Sequence, residues 1–188
     1  MASDFFYFIS SLPALNFSEK PPFSYEAFLQ YAATLLSKDE VKLLASLKLY
    51  QAELPKDSPQ VVKAWQEEEV YLRNELSVLR ARKLRKDAEK WKKESDLFSS
   101  WQQKRLEEIM ALPDAWEKEK ALNFLRWQKL DDLQAGHYFD LRALIIYALK
   151  LQIIEKQNTL DEEKGKAVAA EIIEENLKQA AKLRQVIE

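Results

Sequence analysis

The chain has 188 residues, a net charge of −2, one histidine, two glycines and no cysteine. Without cysteine there is no disulfide framework, thiolate zinc site or cysteine nucleophile. Two isolated glycines cannot form a Gly-rich phosphate loop, and the near-neutral charge gives bulk electrostatics no preference for nucleic acid or an anionic membrane. With 32% charged and 47% hydrophobic residues, the composition is that of long helices, in a chain long enough for one domain with a proper core.

The aromatic start, Phe5-Phe6-Tyr7-Phe8-Ile9, lacks a positive flank, follows Asp4 and is broken by Ser10, Ser11 and Pro13. It therefore does not read as a signal peptide, and the protein reads as cytoplasmic. Residues 5 to 23 read as irregular, because so short an apolar run does not decide between an extended segment and a helical turn. Phe5, Phe6 and Phe8 either pack onto the body or form an exposed docking patch.

Ser24 is the expected N-cap of a first helix, with Glu26 in its first turn and Phe28, Leu29, Ala32, Leu35 and Leu36 as its buried face. Ser37-Lys38-Asp39-Glu40 is a capping box that opens a second helix to about Tyr50. After Pro55 to Pro59, Ser58 as N-cap with Pro59 in the first turn opens the longest helical segment. Trp65, Leu72, Leu76 and Leu79 form a heptad-like stripe that then thins to Ala81, Leu84, Ala88 and Trp91. So narrow a stripe suits pairing with one helix. It predicts an arm that returns at Phe98-Ser99-Ser100, where Ser100 and Gln103 resemble a capping box, or by a bend nearer Pro113.

Leu112-Pro113-Asp114 is a firmer break, with Asp114 and Glu117 placed to cap the next helix. Trp116, Leu122, Phe124, Leu125, Trp127, Leu130 and Leu133 are its expected buried positions, and Gly136 suits its C-terminal end. From about Phe139 to Asn158 runs the stretch around which the chain must be arranged. Leu141, Ala143 to Leu149, Leu151, Ile153 and Ile154 leave almost no polar side, so neighbours must cover this helix nearly all round. Arg142 and Lys150 interrupt it, and it is too short to span a bilayer. A last capping box, Thr159 to Glu162, opens a helix with Val168, Ile172, Ile173, Leu177, Ala180 and Leu183. The pattern reaches Glu188 with no stop signal, which reads as a truncated form of something longer. The chain thus divides, within one helical domain, into an N-terminal segment with two short helices (1–58), a long helical arm (59–112) and core helices (113–188).

No constellation specifies a reaction, a metal or a cofactor. His137 sits beside Gly136 with no nucleophile near it in sequence, and reads as a hydrogen-bonded turn residue. Asp131-Asp132, Glu107-Glu108 and Glu67-Glu68-Glu69 are consecutive, so on a helix they diverge by about 100° per residue instead of converging on an ion. Lys150 has no acid one turn away on its own helix, and should snorkel or meet a carboxylate from another helix. The strongest charge anomaly is the basic run Arg80, Arg82, Lys83, Arg85, Lys86, Lys90, Lys92 and Lys93, offset by Asp87 and Glu89 and seamed by Leu84 and Trp91. It reads either as a solvated face or as a contact for an acidic protein surface. Sparse stacking aromatics argue against nucleic acid.

Two stretches carry a resemblance. FYFISSLPALNFSEKPPFSYEAFL, Phe6 to Leu29, and NFLRWQKLDDLQAGHYFDLRALIIYALKLQIIEK, Asn123 to Lys156, resemble an uncharacterised family encoded within V-type ATP synthase operons of some bacteria. The second is also similar to the helical AC39 family, a component of V-type and archaeal-type ATPases. There an aspartate opens a helix and an apolar tyrosine-and-lysine pattern follows, here Asp140, Leu141, Tyr147, Lys150 and Leu151. Members of the AC39 family are longer, each a funnel of helical units that seats the rotor shaft on the membrane ring. The resemblance therefore implies a non-catalytic accessory or reduced version, a helical coupler touching stalk or ring components and reaching the membrane only through them. The expected fold is all-α, an antiparallel helical bundle with a long projecting arm. The expected contacts are Arg80, Arg82, Lys83, Leu84, Arg85, Lys86 and Trp91 on the arm, and Phe5, Phe6 and Phe8 at the start. The alternative is a helical scaffold or regulatory protein that uses the basic arm.

Overall fold

The structure, a computed structural model, describes residues 2–49 and 54–159. The expected helix from Thr159 onward lies outside the described residues. Among those residues the fold is all-α, with seven α-helices and no strand: α1 (Ala2–Ser11), α2 (Tyr25–Leu35), α3 (Lys38–Ser46), α4 (Gln60–Leu84), α5 (Ser100–Ala111), α6 (Ala115–Gln134) and α7 (Leu141–Thr159).

α7 occupies the centre. Every residue from Ala143 to Ile146, from Ala148 to Leu151, and Ile153 and Ile154 is buried, because α1, α2, α4 and α6 all pack against it. Asp140 caps it, accepting the Ala143 N–H at 2.9 Å. α6 runs antiparallel beside it after a turn in which Gly136 takes φ +80°, a conformation that favours glycine. Lys150 crosses this hairpin. It is nearly buried, donates to Asp131 at 2.6 Å and Gln134 at 2.9 Å, and lies 5.1 Å from the centre of the Trp127 ring. The carboxylate from another helix is therefore present, and Lys156 donates to Glu119 farther along at 2.6 Å.

Residues 5 to 11, expected to be irregular, are helical. Phe5, Phe8, Ile9 and Leu12 recur at helical spacing and meet the core, a periodicity that the aromatic run conceals because Phe6 and Tyr7 are also aromatic. Ser24 and the Ser37–Glu40 box cap α2 and α3 as expected. Leu35, expected inside, is exposed at the end of α2. α3 stops at Ser46, short of Tyr50.

The segment after Pro59 differs more. The Pro59 carbonyl accepts the Val62 and Lys63 N–H groups, so α4 starts at Gln60 without a Ser58 side-chain cap. Its stripe meets two helices instead of one. Leu72 and Leu76 close a second, smaller core with Leu106 and Ile109 of α5 and Leu122 and Leu125 of α6. Between the two cores a nearly buried ion pair joins α4 to α6. Arg126 donates through Nε to Glu69 Oε2 at 2.9 Å and through Nη2 to Oε1 at 3.2 Å, while Arg73 holds Oε1 from the next turn at 2.8 Å.

Candidate functional site

Of the two expected surfaces, the basic one sits where α4 ends. The helix stops at Leu84, before Ala88 and Trp91 can extend its stripe. Arg85 turns left-handed (φ 52°), its N–H meets the Arg82 carbonyl, and the Lys86 N–H reaches back to the Ala81 carbonyl at 2.9 Å. This is the six-to-one bond of a Schellman closure. Arg82 and Lys83 occupy the last turn, where the negative end of the helix dipole favours cations. Arg82 and Lys83 thus suit the helix end as well as forming part of the surface.

The chain then crosses back to α5 as an irregular segment with one short turn, Glu89–Trp91, which Asp87 opens by accepting the Glu89 N–H. Two buried side chains of α4 hold this connection. The Asn74 amide donates to the Lys93 carbonyl at 2.7 Å and accepts the Lys93 N–H at 2.9 Å. Tyr71 Oη donates to the Ser99 carbonyl at 3.0 Å and accepts the Ser99 N–H at 3.1 Å. Burial pushes the Tyr71 phenol above its usual pKa, which keeps it a neutral donor. Ser99, one residue before the expected Ser100, caps α5 by accepting the Gln102 N–H.

The connection carries Trp91 back against α4. Leu84 and Trp91 are 66% and 57% exposed. With Ser77, Arg80, Ala81 and Lys86 they line a depression of about 240 Å³. Arg82 reaches Glu107 at 3.5 Å and Lys92 pairs with Glu89. Among the described residues, Arg80, Lys83, Arg85, Lys86 and Lys90 form no ion pair, and all five are exposed. A larger groove of about 490 Å³ adjoins the depression between α4, α6 and the connection. Arg73, Lys93, Arg126 and Lys156 line it and each has a partner, and Arg80 borders both this groove and the depression.

The N-terminal aromatics divide. Phe8 is fully buried, with Phe28 and Tyr31 against its ring, and Phe5 is partly buried against the main core. As core residues they cannot serve as the docking contacts expected of them. Of the three phenylalanines expected there only Phe6 faces outward, beside the exposed Tyr7, and its partners from the α6–α7 turn were missed in the sequence. It meets Phe139 at 4.8 Å and Tyr7 at 6.0 Å between ring centres. Tyr138 and Phe139, in the α6–α7 turn, are exposed beside it. The signal for them was present: two aromatics between a C-terminal glycine and an N-capping aspartate cannot both turn inward. His137 in the same turn pairs through Nδ1 with the Asp140 carboxylate.

The two surfaces lie at opposite ends of α6. Glu69 is level with Arg126, and Leu72 and Leu76 with Leu122 and Leu125, so α4 runs antiparallel to α6. The basic end therefore lies beyond the start of α6, and the aromatic patch at its end. The 20 residues of α6 separate them by about 30 Å at 1.5 Å per residue.

The family model of a protein of unknown function (DUF2764) matches residues 95–180. The match takes in α5, α6 and α7 but neither the basic end of α4 nor α1. No curated protein and no solved structure matches the chain. Among the described residues no helix is long and apolar enough to cross a membrane.

Proposed function

We propose that this protein is a non-catalytic component of a V-type ATP synthase, a stiff helical linker that touches one partner at each end, in the stalk and at the membrane ring. The observation that carries the reading is the placement of two exposed, chemically distinct surfaces about 30 Å apart, one at the end of α4 and one at the α6–α7 turn. The ATP synthase part rests on the resemblance of residues 6 to 29 and 123 to 156. The residues behind it, Asp140, Tyr147, Lys150 and Leu151, make helix contacts: Asp140 caps α7, Tyr147 donates to the Pro13 carbonyl, Lys150 binds Asp131 and Leu151 is buried. They argue for a shared scaffold. The reading assigns the protein no reaction, cofactor or small-molecule substrate, and places it at the membrane only through its partners.

A second reading, a cytoplasmic scaffold or regulator, is favoured by the five cations without an ion pair, which fit any acidic partner. Affinity purification of the tagged protein from its own cells in mild detergent separates the two. The linker reading expects V-type ATP synthase components in constant ratio to the bait. Repeated recovery without any of them, while the synthase assembles normally in cells lacking the protein, would leave the scaffold reading as the better one.

A further inference from the structure

The depression between Leu84 and Trp91 is too small for a drug-sized ligand, whose sites run from about 300 to 1,000 Å³, and is of a size to receive one apolar side chain. Around it, Arg80 to Lys93 contains eight Lys or Arg against Asp87 and Glu89. We propose that the end of α4 docks an acidic amphipathic helix of a partner protein. One apolar residue of that helix enters between Leu84 and Trp91, and carboxylates one turn to either side meet Arg80, Lys83, Arg85 and Lys86.

Charge selects the occupant. Arg80 and Lys86 line the apolar centre, and the exposed Lys83, Arg85 and Lys90 flank Leu84 and Trp91 in the chain, which matches a peptide that alternates an apolar anchor with carboxylates. Single-stranded nucleic acid needs successive aromatic platforms, and Trp91 is the only aromatic within the basic run. A membrane-lying helix needs one continuous apolar face, whereas here cations stand at 82, 83, 85 and 86 around Leu84. The site is also pre-formed. Asn74 fixes the backbone two residues from Trp91, so little ordering remains to be done on binding.

This inference rests on the protein-contact reading and names the chemistry of one of its two partners. The test uses the full chain and a short fluorescein-labelled helical peptide with Leu along one stripe and Glu on the other faces, read by anisotropy and stopped flow at physiological salt. Controls are the same peptide with Leu replaced by Ala, duplex DNA, and phosphatidylserine-containing vesicles. The Leu peptide is expected to bind about tenfold or more tighter than the Ala peptide, and tighter than DNA or vesicles. Trp91→Ala should lower its affinity by about tenfold, mainly through faster dissociation. Arg80→Glu, Lys83→Glu, Arg85→Glu and Lys86→Glu together should slow association, with circular dichroism unchanged because all four side chains are exposed. No binding, equal binding of both peptides, indifference to Trp91→Ala, or stronger binding to DNA or vesicles would each overturn the inference. Purification from cells keeps the two claims apart. Synthase components recovered equally well by the Trp91→Ala and charge-reversed proteins would sink this inference alone. Peptide binding as described, with no synthase component recovered, would sink the synthase assignment alone.

Discussion

Asn74 offers the sharpest probe of how the basic end is built. Its side chain makes both hydrogen bonds that hold Lys93, and through Lys93 the position of Trp91. Each such bond contributes about 0.5–1.5 kcal/mol net. Lys93 is exposed, so water can reach its backbone once the amide is gone, which places the loss from Asn74→Ala at about 1–2 kcal/mol. For a chain of this size that lowers Tm by about 2–8 °C. Asn74→Asp keeps an acceptor for the Lys93 N–H but sets a carboxylate oxygen against the Lys93 carbonyl, so it should cost at least as much as alanine. Urea unfolding gives the free energies, and amide exchange should show faster opening of residues 88–96, with α7 unchanged. Peptide affinity should fall although Trp91 itself is intact. An Asn74→Ala protein within about 0.5 kcal/mol of the parent, or an Asn74→Asp protein more stable than Asn74→Ala, would refute the clamp.

Three further outcomes follow from the same structure. Arg85→Gly should stabilise by about 0.5–1 kcal/mol in thermal unfolding, since glycine takes the left-handed position without the steric cost that arginine bears there. Partial burial pushes the Asp140 carboxyl up, but hydrogen bonds from His137 and the Ala143 N–H outweigh it and hold it below the usual range. A depressed carboxyl stabilises above its unfolded pKa and loses that contribution as pH falls through the folded one. Asp140→Asn, which can still cap, should therefore be the less stable protein at neutral pH, with the gap narrowing as a stability-versus-pH series descends below the usual carboxylate range. Across the α6–α7 hairpin, Asp131→Leu leaves the nearly buried Lys150 ammonium with a neutral amide in place of its carboxylate and should cost about 2–3 kcal/mol. Lys150→Met keeps the stem against Trp127, leaves Asp131 in solvent and should cost under about 1 kcal/mol in the same denaturant assay.

What the sequence made legible was whatever a short local pattern determines. Ser24, Ser37 and Asp114 cap their helices, Gly136 takes the left-handed turn, and α7 is central because its residues leave it no polar face. Helix α1 was missed because five consecutive apolar residues have no readable period. The end of α4 was misplaced because a basic run carries no glycine, and its stop depends on Arg85 adopting a turn that sequence disfavours. Long-range pairs were invisible for another reason. Glu69 read as one of three consecutive acids diverging around a helix, yet it is buried because Arg126, far along the chain, arrives opposite it. The candidate surfaces were half legible. Leu84 and Trp91 were found as a seam within a charge cluster. The aromatic patch was placed on Phe5, Phe6 and Phe8, when tertiary folding turns Phe5 and Phe8 inward and brings Tyr138 and Phe139 to Phe6.

If two ends of one rigid helical body engage two different components of a V-type ATP synthase, each end must touch its own partner in the cell. Site-specific photocrosslinking in the protein's own cells reads those contacts, with a photoreactive residue placed at Trp91 in one strain and at Tyr138 in another. The expected result is crosslinks from both positions to synthase components, to a different one from each end. None should form from a control position on the exposed face of α3 such as Lys42. Crosslinks from both positions to the same non-synthase protein, or none to any synthase component in cells where the enzyme is assembled, would contradict the linker role.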